Sequence, residues 1–353
     1  MFIKFDNEFL EYSGRIDYET DKTIFVFPCS FVKMKFRGRT LRAVVDNNHG
    51  YWDNYLGLMI DGKLSKIKLS NDPGKQEPNL LENAEYNIHE VMLFKRQDSC
   101  HEIGFYGFIT DDDTKLKVLP KKPEGKIEVY GDSISAGEVS EAYDFVGKPD
   151  PDWHKGELSN SYYSYAWLTA RKLSAQIHDI AQGGIALLNN TGWFNAPDYI
   201  GMEYVFDKVR YNPVLGKPTK WDFSKYTPDV VIVAIGQNDN HPDDYMAKDY
   251  YCDKANNWRE HYRSFVLKLK TIYPAAHIVL CTTILEHHRN WDLSIDEVCR
   301  NIADDKIHHF LFKNNGSGTK GHVRMQEAEE MSDRLAEYIE SLGVSGLRRG
   351  KQS

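Results

Sequence analysis

The run Ile127-Glu128-Val129-Tyr130, followed at once by Gly131-Asp132-Ser133, constrains this chain more than any other feature. Apolar and aromatic side chains around a single Glu read as a short buried strand, and Gly-Asp-Ser breaks it. A strand ended in this way presents a serine hydroxyl at the carboxyl edge of its sheet, where open α/β sheets place their ligands. Gly, Asp and Ser are also the commonest turn residues, so the stretch alone is equally a plain turn. The rest of the chain separates the two readings.

From Lys126 onward the pattern alternates strands with helices. Ile177–Ala181, Val230–Ile235 and His277–Cys281 read as strands, and the continuous apolar run of the second suits a parallel strand covered on both faces. Ser161–Leu173, Trp258–Ile272 and Met325–Leu342 read as helices. This predicts an α/β domain, a doubly wound parallel sheet flanked by helices. Residues 10 to 122 carry a different pattern. Thr23–Phe27, Phe31–Phe36, Leu41–Val45, His89–Phe94 and Gly104–Ile109 are short runs rich in branched and aromatic residues, separated by turn signals such as Asp61-Gly62. They predict an all-β sandwich or jelly roll. Thr114–Gly125, with Pro120 and Pro123, reads as a linker. The expected division is an all-β domain over 1–122 and an α/β domain over 123–353. A sandwich attached to an enzyme can bind sugar, but bracing the other domain is the expectation favoured here.

Composition excludes several classes. The net charge is −8 and no long Lys/Arg run occurs, which argues against a nucleic-acid partner. Arg348-Arg349-Gly350-Lys351 is only a short basic tail. No apolar run approaches membrane-spanning length, so no membrane partner is expected. The five cysteines are odd in number and lack C-x-x-C spacing, and Met1–Glu8 lacks an apolar leader core. Reduced thiols and a cytoplasmic location are expected. Adjacent residues on a strand face opposite ways, so neither His287-His288 nor His308-His309 can chelate as a strand; no metal is expected. A homo-oligomer is left open.

Each remaining candidate lies just past a strand or before the last helix: Gln182-Gly183-Gly184, Gly236-Gln237-Asn238-Asp239 and Gly321-His322. Together with Ser133 they suit acyl transfer. Serine is a weak nucleophile and needs a base within reach, and imidazole has a suitable pKa. A tetrahedral intermediate needs donors aimed at its oxyanion. The backbone N–H of Ser133, that of Gly184 and the side-chain amide of Asn238 can supply three. Residue 135 is Ser, so Gly-x-Ser-x-Gly is absent, which argues against an α/β-hydrolase elbow. Asp132 and Asp239 are expected to brace their loops.

Gly131-Asp132-Ser133, Gly184, Asn238 and His322 resemble the four blocks of the SGNH (GDSL-type) hydrolases. Gly14-Arg15, Phe36–Thr40, Ile60–Gly62, His89–Arg96, Trp221–Ser224 and Tyr226–Asp229 narrow the resemblance to carbohydrate esterase family 2, in which a jelly roll precedes the esterase domain. The resemblance implies a serine esterase that removes O-acetyl groups from xylo- or manno-oligosaccharides of the plant wall, with no metal or cofactor. Two alternatives remain: an esterase or thioesterase for another short acyl ester, and a catalytically weak carbohydrate-binding protein. Block two carries Ala186 where a further Gly is frequent, which leaves the Gly184 donor intact. The SGNH pattern places Asp three residues before the histidine, and here that position is Thr319. A Ser133–His322 dyad, with a backbone carbonyl holding the imidazole, is therefore expected; Asp292 or Asp296 is the alternative. Trp193 and Trp291, read as loop residues, are the expected sugar subsites. The long loop from Glu138 to Asn160 is expected to wall the cleft.

Overall fold

The computed structural model describes residues 1–349; Gly350 and Lys351 of the basic tail lie outside them. Alternating side chains build two antiparallel sheets in the first third, one of seven strands and one of six. Strand Phe31–Gly38 points Val32, Met34 and Phe36 inward, fully buried, and leaves Lys33 and Lys35 towards solvent. Its neighbour Asn87–Lys95 sets Val91 against Met34 on one side and against Ile60 of Tyr55–Ile60 on the other. The second sheet is centred on Leu41–His49 and His101–Thr110. The inner faces of both meet in one core that includes Phe25, Phe36, Phe105 and Phe108.

Five parallel strands follow: β1 (Gly125–Gly131), β2 (Ala175–Ala181), β3 (Val230–Ala234), β4 (His277–Cys281) and β5 (Ile307–His309). Their order is β2-β1-β3-β4-β5, with Tyr130 of β1 paired to Ile180 and to Val233. The order reverses at β1, which makes its carboxyl end a topological switch point. The principal helices are α1 (Ser133–Ala136), α2 (Tyr165–Lys172), α3 (Asp253–Ile272), α4 (Asn290–Ile302) and α5 (Met325–Ser341). Trp258, Tyr262 and Phe265 of α3 pack on one face of the sheet with Trp291 and Ile295 of α4. Trp167 and Ala170 of α2 pack on the other with Met331 and Leu335 of α5. Burying both faces explains the unbroken apolar run of β3. Helix α4 and strand β5 were not foreseen. Trp291, Ile295 and Val298 recur at helical spacing and form the buried stripe of α4, so this segment is helix and not open loop.

The single Glu of β1 has a specific reason. Arg15, from the first domain, is fully buried and reaches Glu128 at 3.2 Å and the Tyr130 hydroxyl at 2.7 Å. Glu128 also accepts from the hydroxyls of Tyr130 at 2.5 Å and Tyr273 at 3.0 Å. Hydrogen bonds from the Arg15 Nη atoms and to Glu128 Oε1 offset the cost of burying this ion pair, while Arg15 Nε and Glu128 Oε2 have no hydrogen-bond partner. Ile24, Val26 and Phe27 of the first domain share a core with Tyr130, Ile180 and Val233. The two domains are thereby locked along the middle and carboxyl ends of these strands, which fixes the first domain beside the ligand-binding edge.

Candidate active site

Ser133 opens a one-turn helix. Asp132 caps it by accepting from the Ile134 N–H at 3.0 Å, and Gly137 closes it in the left-handed conformation at φ 74°. A side chain at Gly137 would sit 2.6 Å from the Asn160 carbonyl, so glycine is required where the two chain segments cross. The Ser133 N–H, first of its helix, has no intrahelical acceptor and is available to a ligand. Asp132 also receives Gln237 Nε2 at 2.7 Å and Asn238 Nδ2 at 3.1 Å. It is a brace that ties the end of β1 to the end of β3. Burial raises its pKa to about 6 against the pull of the Ile134 and Gln237 donors.

Gly184 follows β2 at φ 71°, and a Cβ there would meet the Trp193 Cβ at 2.8 Å. Its carbonyl accepts from the Trp193 N–H at 2.7 Å, which holds the loop shut behind it. Asp239 braces the same loop by accepting from Leu187 N–H at 2.9 Å; burial raises its pKa to about 7. Asn238 lines the cleft with Ser133, Gly184 and His322. Its amide nitrogen donates to Asp132 and, at 3.1 Å, to the Ile185 carbonyl, so an oxyanion would share one of these hydrogens. We expect Asn238→Ala to lower kcat about 10²–10³-fold, the usual loss for one oxyanion donor. A change confined to KM would make Asn238 a binding residue only.

His322 is not held by a backbone carbonyl, which corrects the expectation drawn from Thr319. Its Nδ1 lies 2.5 Å from Asp150 Oδ2, and its N–H donates to Asp150 Oδ1 at 3.0 Å. Asp150 lies 172 positions earlier, in the long loop after Ser133. Gly321 permits the approach: a Cβ there would sit 2.5 Å from the Lys148 carbonyl and 2.7 Å from Asp150 Oδ1. Arg324, fully buried, fixes both partners, donating to Asp150 Oδ1 at 2.7 Å and to the His322 carbonyl at 2.6 Å. Burial alone would raise the pKa of Asp150, but His322 and Arg324 outweigh it and hold the carboxyl far below its ordinary range. Burial opposes charge on His322, yet the charge of Glu138 and the hydrogen bond and charge of Asp150 raise it to about 9. Asp292 and Asp296 are engaged elsewhere, with His287 at 3.1 Å and with Arg300 at 2.9 Å. Thr319 is buried and its carbonyl accepts from the Glu286 N–H at 2.9 Å.

The cleft encloses about 590 Å³. Trp193 lines it, is 58% exposed and stacks on His241 with ring centroids 3.4 Å apart. Trp291 does not reach it, which corrects its reading as a subsite. It is fully buried in α4 against Trp258, and its indole N–H donates to Asp244 at 3.1 Å. Sequence reasoning missed Asp150 and Arg324, and it missed that the first domain supplies Tyr51, Trp52 and Asp98 to the cleft. The two prolines flanking Asp150 were the signal for a rigidly presented carboxylate. Among the described residues no group of three or more His, Cys, Asp or Glu is arranged to hold a metal ion. No helix among them is long and apolar enough to cross a membrane. We expect EDTA to leave activity unchanged; loss on chelation with recovery on adding zinc would show a metal-dependent site.

A parallel sheet of this order, with Gly-Asp-Ser after β1, glycine after β2, Asn238 after β3 and His322 before the last helix, defines an SGNH (GDSL-type) hydrolase fold. In sequence and fold the chain is similar to family 2 carbohydrate esterases. Residues 12–120 match the profile of the carbohydrate esterase 2 N-terminal domain. The chain is 29% identical over 352 residues to the cellulase/esterase CelE of Acetivibrio thermocellus, covering 95% of this chain and 40% of that protein. It is 27% identical over 277 residues to an acetylxylan esterase / glucomannan deacetylase of Cellvibrio japonicus, covering 77% of this chain and 70% of that one. The solved structure of a family two carbohydrate esterase from Clostridium thermocellum, in complex with cellohexaose, superposes with a TM-score of 0.78 at 26% identity. That match covers 95% of this chain and 99% of the other.

Proposed function

We propose that the chain is a serine esterase that removes O-acetyl groups from xylo- or manno-oligosaccharides through an acyl-enzyme. The observation that carries this reading is Ser133 and His322 in one cleft, with the imidazole oriented by Asp150 at 2.5 Å. Ser133 attacks the acetyl carbonyl while His322 Nε2 takes its proton. The Asp150 carboxylate keeps the other proton on Nδ1 and stabilises the imidazolium. The N–H groups of Ser133 and Gly184 and the amide of Asn238 hold the oxyanion. His322 then protonates the departing sugar oxygen, and water, deprotonated by the same imidazole, hydrolyses the acetyl-Ser133 ester.

Tyr51, Trp52 and Trp193 give the cleft an aromatic rim suited to stacking on sugar rings. With His322 paired to a carboxylate, the missing local Asp no longer supports a catalytically weak binding protein. The five unpaired cysteines favour a reducing, cytoplasmic setting, in which the substrates are imported oligosaccharides. The acyl group is tested by comparing kcat/KM across acetyl, butyryl and octanoyl esters of one sugar alcohol. We expect acetyl to be the best substrate. Preference for the octanoyl ester would reject the acetyl-esterase reading.

A further inference from the structure

The Asp150 carboxylate accounts for one side of the His322 ring. The other side, which must accept the proton of Ser133, faces a second carboxylate: Glu138 Oε2 lies 3.6 Å from His322 Nε2. We propose that Glu138 is a positioning residue that holds the His322 imidazolium in the resting cleft and thereby restricts the proposed esterase to alkaline pH. The inference rests on the Ser133–His322 reading above.

The local backbone aims Glu138 into the cleft. It follows the left-handed Gly137, and its N–H donates to the Ser133 carbonyl at 2.9 Å, which turns the chain back beneath the nucleophile. A Cβ on Gly183 would lie 2.7 Å from both Glu138 Oε2 and Asp98 Oδ2, so two carboxylates converge over that glycine. They differ in their partners. Asp98 accepts from the Gly183 N–H and from Gln182 Nε2, each at 2.6 Å. Among the described residues, the one cationic group within ion-pair distance of Glu138 is His322.

The charged surroundings of this pair are mostly acidic. Asp150 faces Nδ1 from the long loop, and Asp132 acts on both groups from the end of β1. Asp98 approaches Glu138 from the first domain. Arg324 neutralises Asp150 from behind the ring. His154, across the cleft wall, has its pKa lowered by burial and by the charge of His322 among others. Burial raises Glu138 to about 7, and the neighbouring carboxylates add to that while His322 opposes it. An imidazolium set between two carboxylates, Asp150 at Nδ1 and Glu138 at Nε2, holds its Nε2 proton tightly, and an imidazolium cannot accept the serine proton. The base becomes available only as pH rises and His322 loses that proton. Removing the Glu138 charge lowers the pKa of His322, so the base form appears at lower pH.

The test is the pH dependence of kcat/KM for a soluble acetyl ester, with the wild type and with Glu138→Gln. The same profile is recorded for the rate at which phenylmethanesulfonyl fluoride inactivates each protein. A charge at this distance shifts a partner by about 1–3 pH units. We expect the acid limb of both profiles to fall by about one unit or more in Glu138→Gln, so that the variant is about fivefold or more faster than the wild type one unit below the wild-type midpoint. Glu138→Ala, measured in parallel, should shift the limb in the same direction and guards against a fault peculiar to glutamine. Coincident acid limbs in the wild type and both variants would overturn the proposal. If the sulfonyl fluoride profile moves while no acetate leaves any sugar ester, the role of Glu138 stands and the substrate reading fails.

Discussion

Ser133→Ala is expected to abolish ester hydrolysis, with kcat falling about 10⁶-fold, the scale seen when the nucleophile is removed from such a unit. What remains is the oxyanion donors and substrate binding, which act on water far less effectively. The substitution removes one hydroxyl that opens on the cleft, at a position whose backbone conformation alanine adopts readily. The fold should be unchanged, and the thermal midpoint measured beside kcat checks this. Turnover within tenfold of the wild type would remove Ser133 from the chemistry.

Asp150→Asn has the second-largest expected effect, a fall in kcat of about 10⁴. The asparagine can still occupy the site, but it carries no charge. Presenting its NH₂ to His322 would force the imidazole proton onto Nε2, where Ser133 needs an acceptor. Arg324 and the His322 N–H would also lose an anionic partner. Two results separate the charge effect from loss of structure. The acid limb of the kcat/KM profile should move to lower pH, because the carboxylate that stabilises the imidazolium is gone. Asp292→Asn should leave that limb in place, since Asp292 pairs with His287 and not with His322. Wild-type kcat in Asp150→Asn would return the site to a dyad.

The site was legible in the sequence where it is local and illegible where it is assembled. Ser133, Gly184, Asn238 and His322 each sit at the end of a strand or the start of a helix, and apolar periodicity marks those elements in a single window. Asp150 lies in a loop whose course depends on where Lys148 and Gly321 meet, a contact 173 positions apart that no local pattern encodes. Local spacing points to carboxylates beside the histidine or downstream of β4, whereas the fold supplies Asp150 from the segment expected to wall the cleft. Trp291 was misplaced for a related reason. The chain after Cys281 reads as irregular on its polar and histidine-rich start, although the spacing of Trp291, Ile295 and Val298 is that of an amphipathic helix. Tyr51 and Trp52 reach the cleft through domain docking, which rests on the buried Arg15–Glu128 pair. Nothing in the strand pattern around the lone Glu of β1 names Arg15 as its partner.

Acetate release from acetylated xylo- and manno-oligosaccharides, followed over time with the wild type and with Ser133→Ala, tests the central claim most directly. The account predicts catalytic acetate release by the wild type, many turnovers per protein, and none above the uncatalysed rate by the variant. Equal release by both proteins, or no release from any acetylated sugar by a wild type whose Ser133 is still labelled by a sulfonyl fluoride, would contradict it.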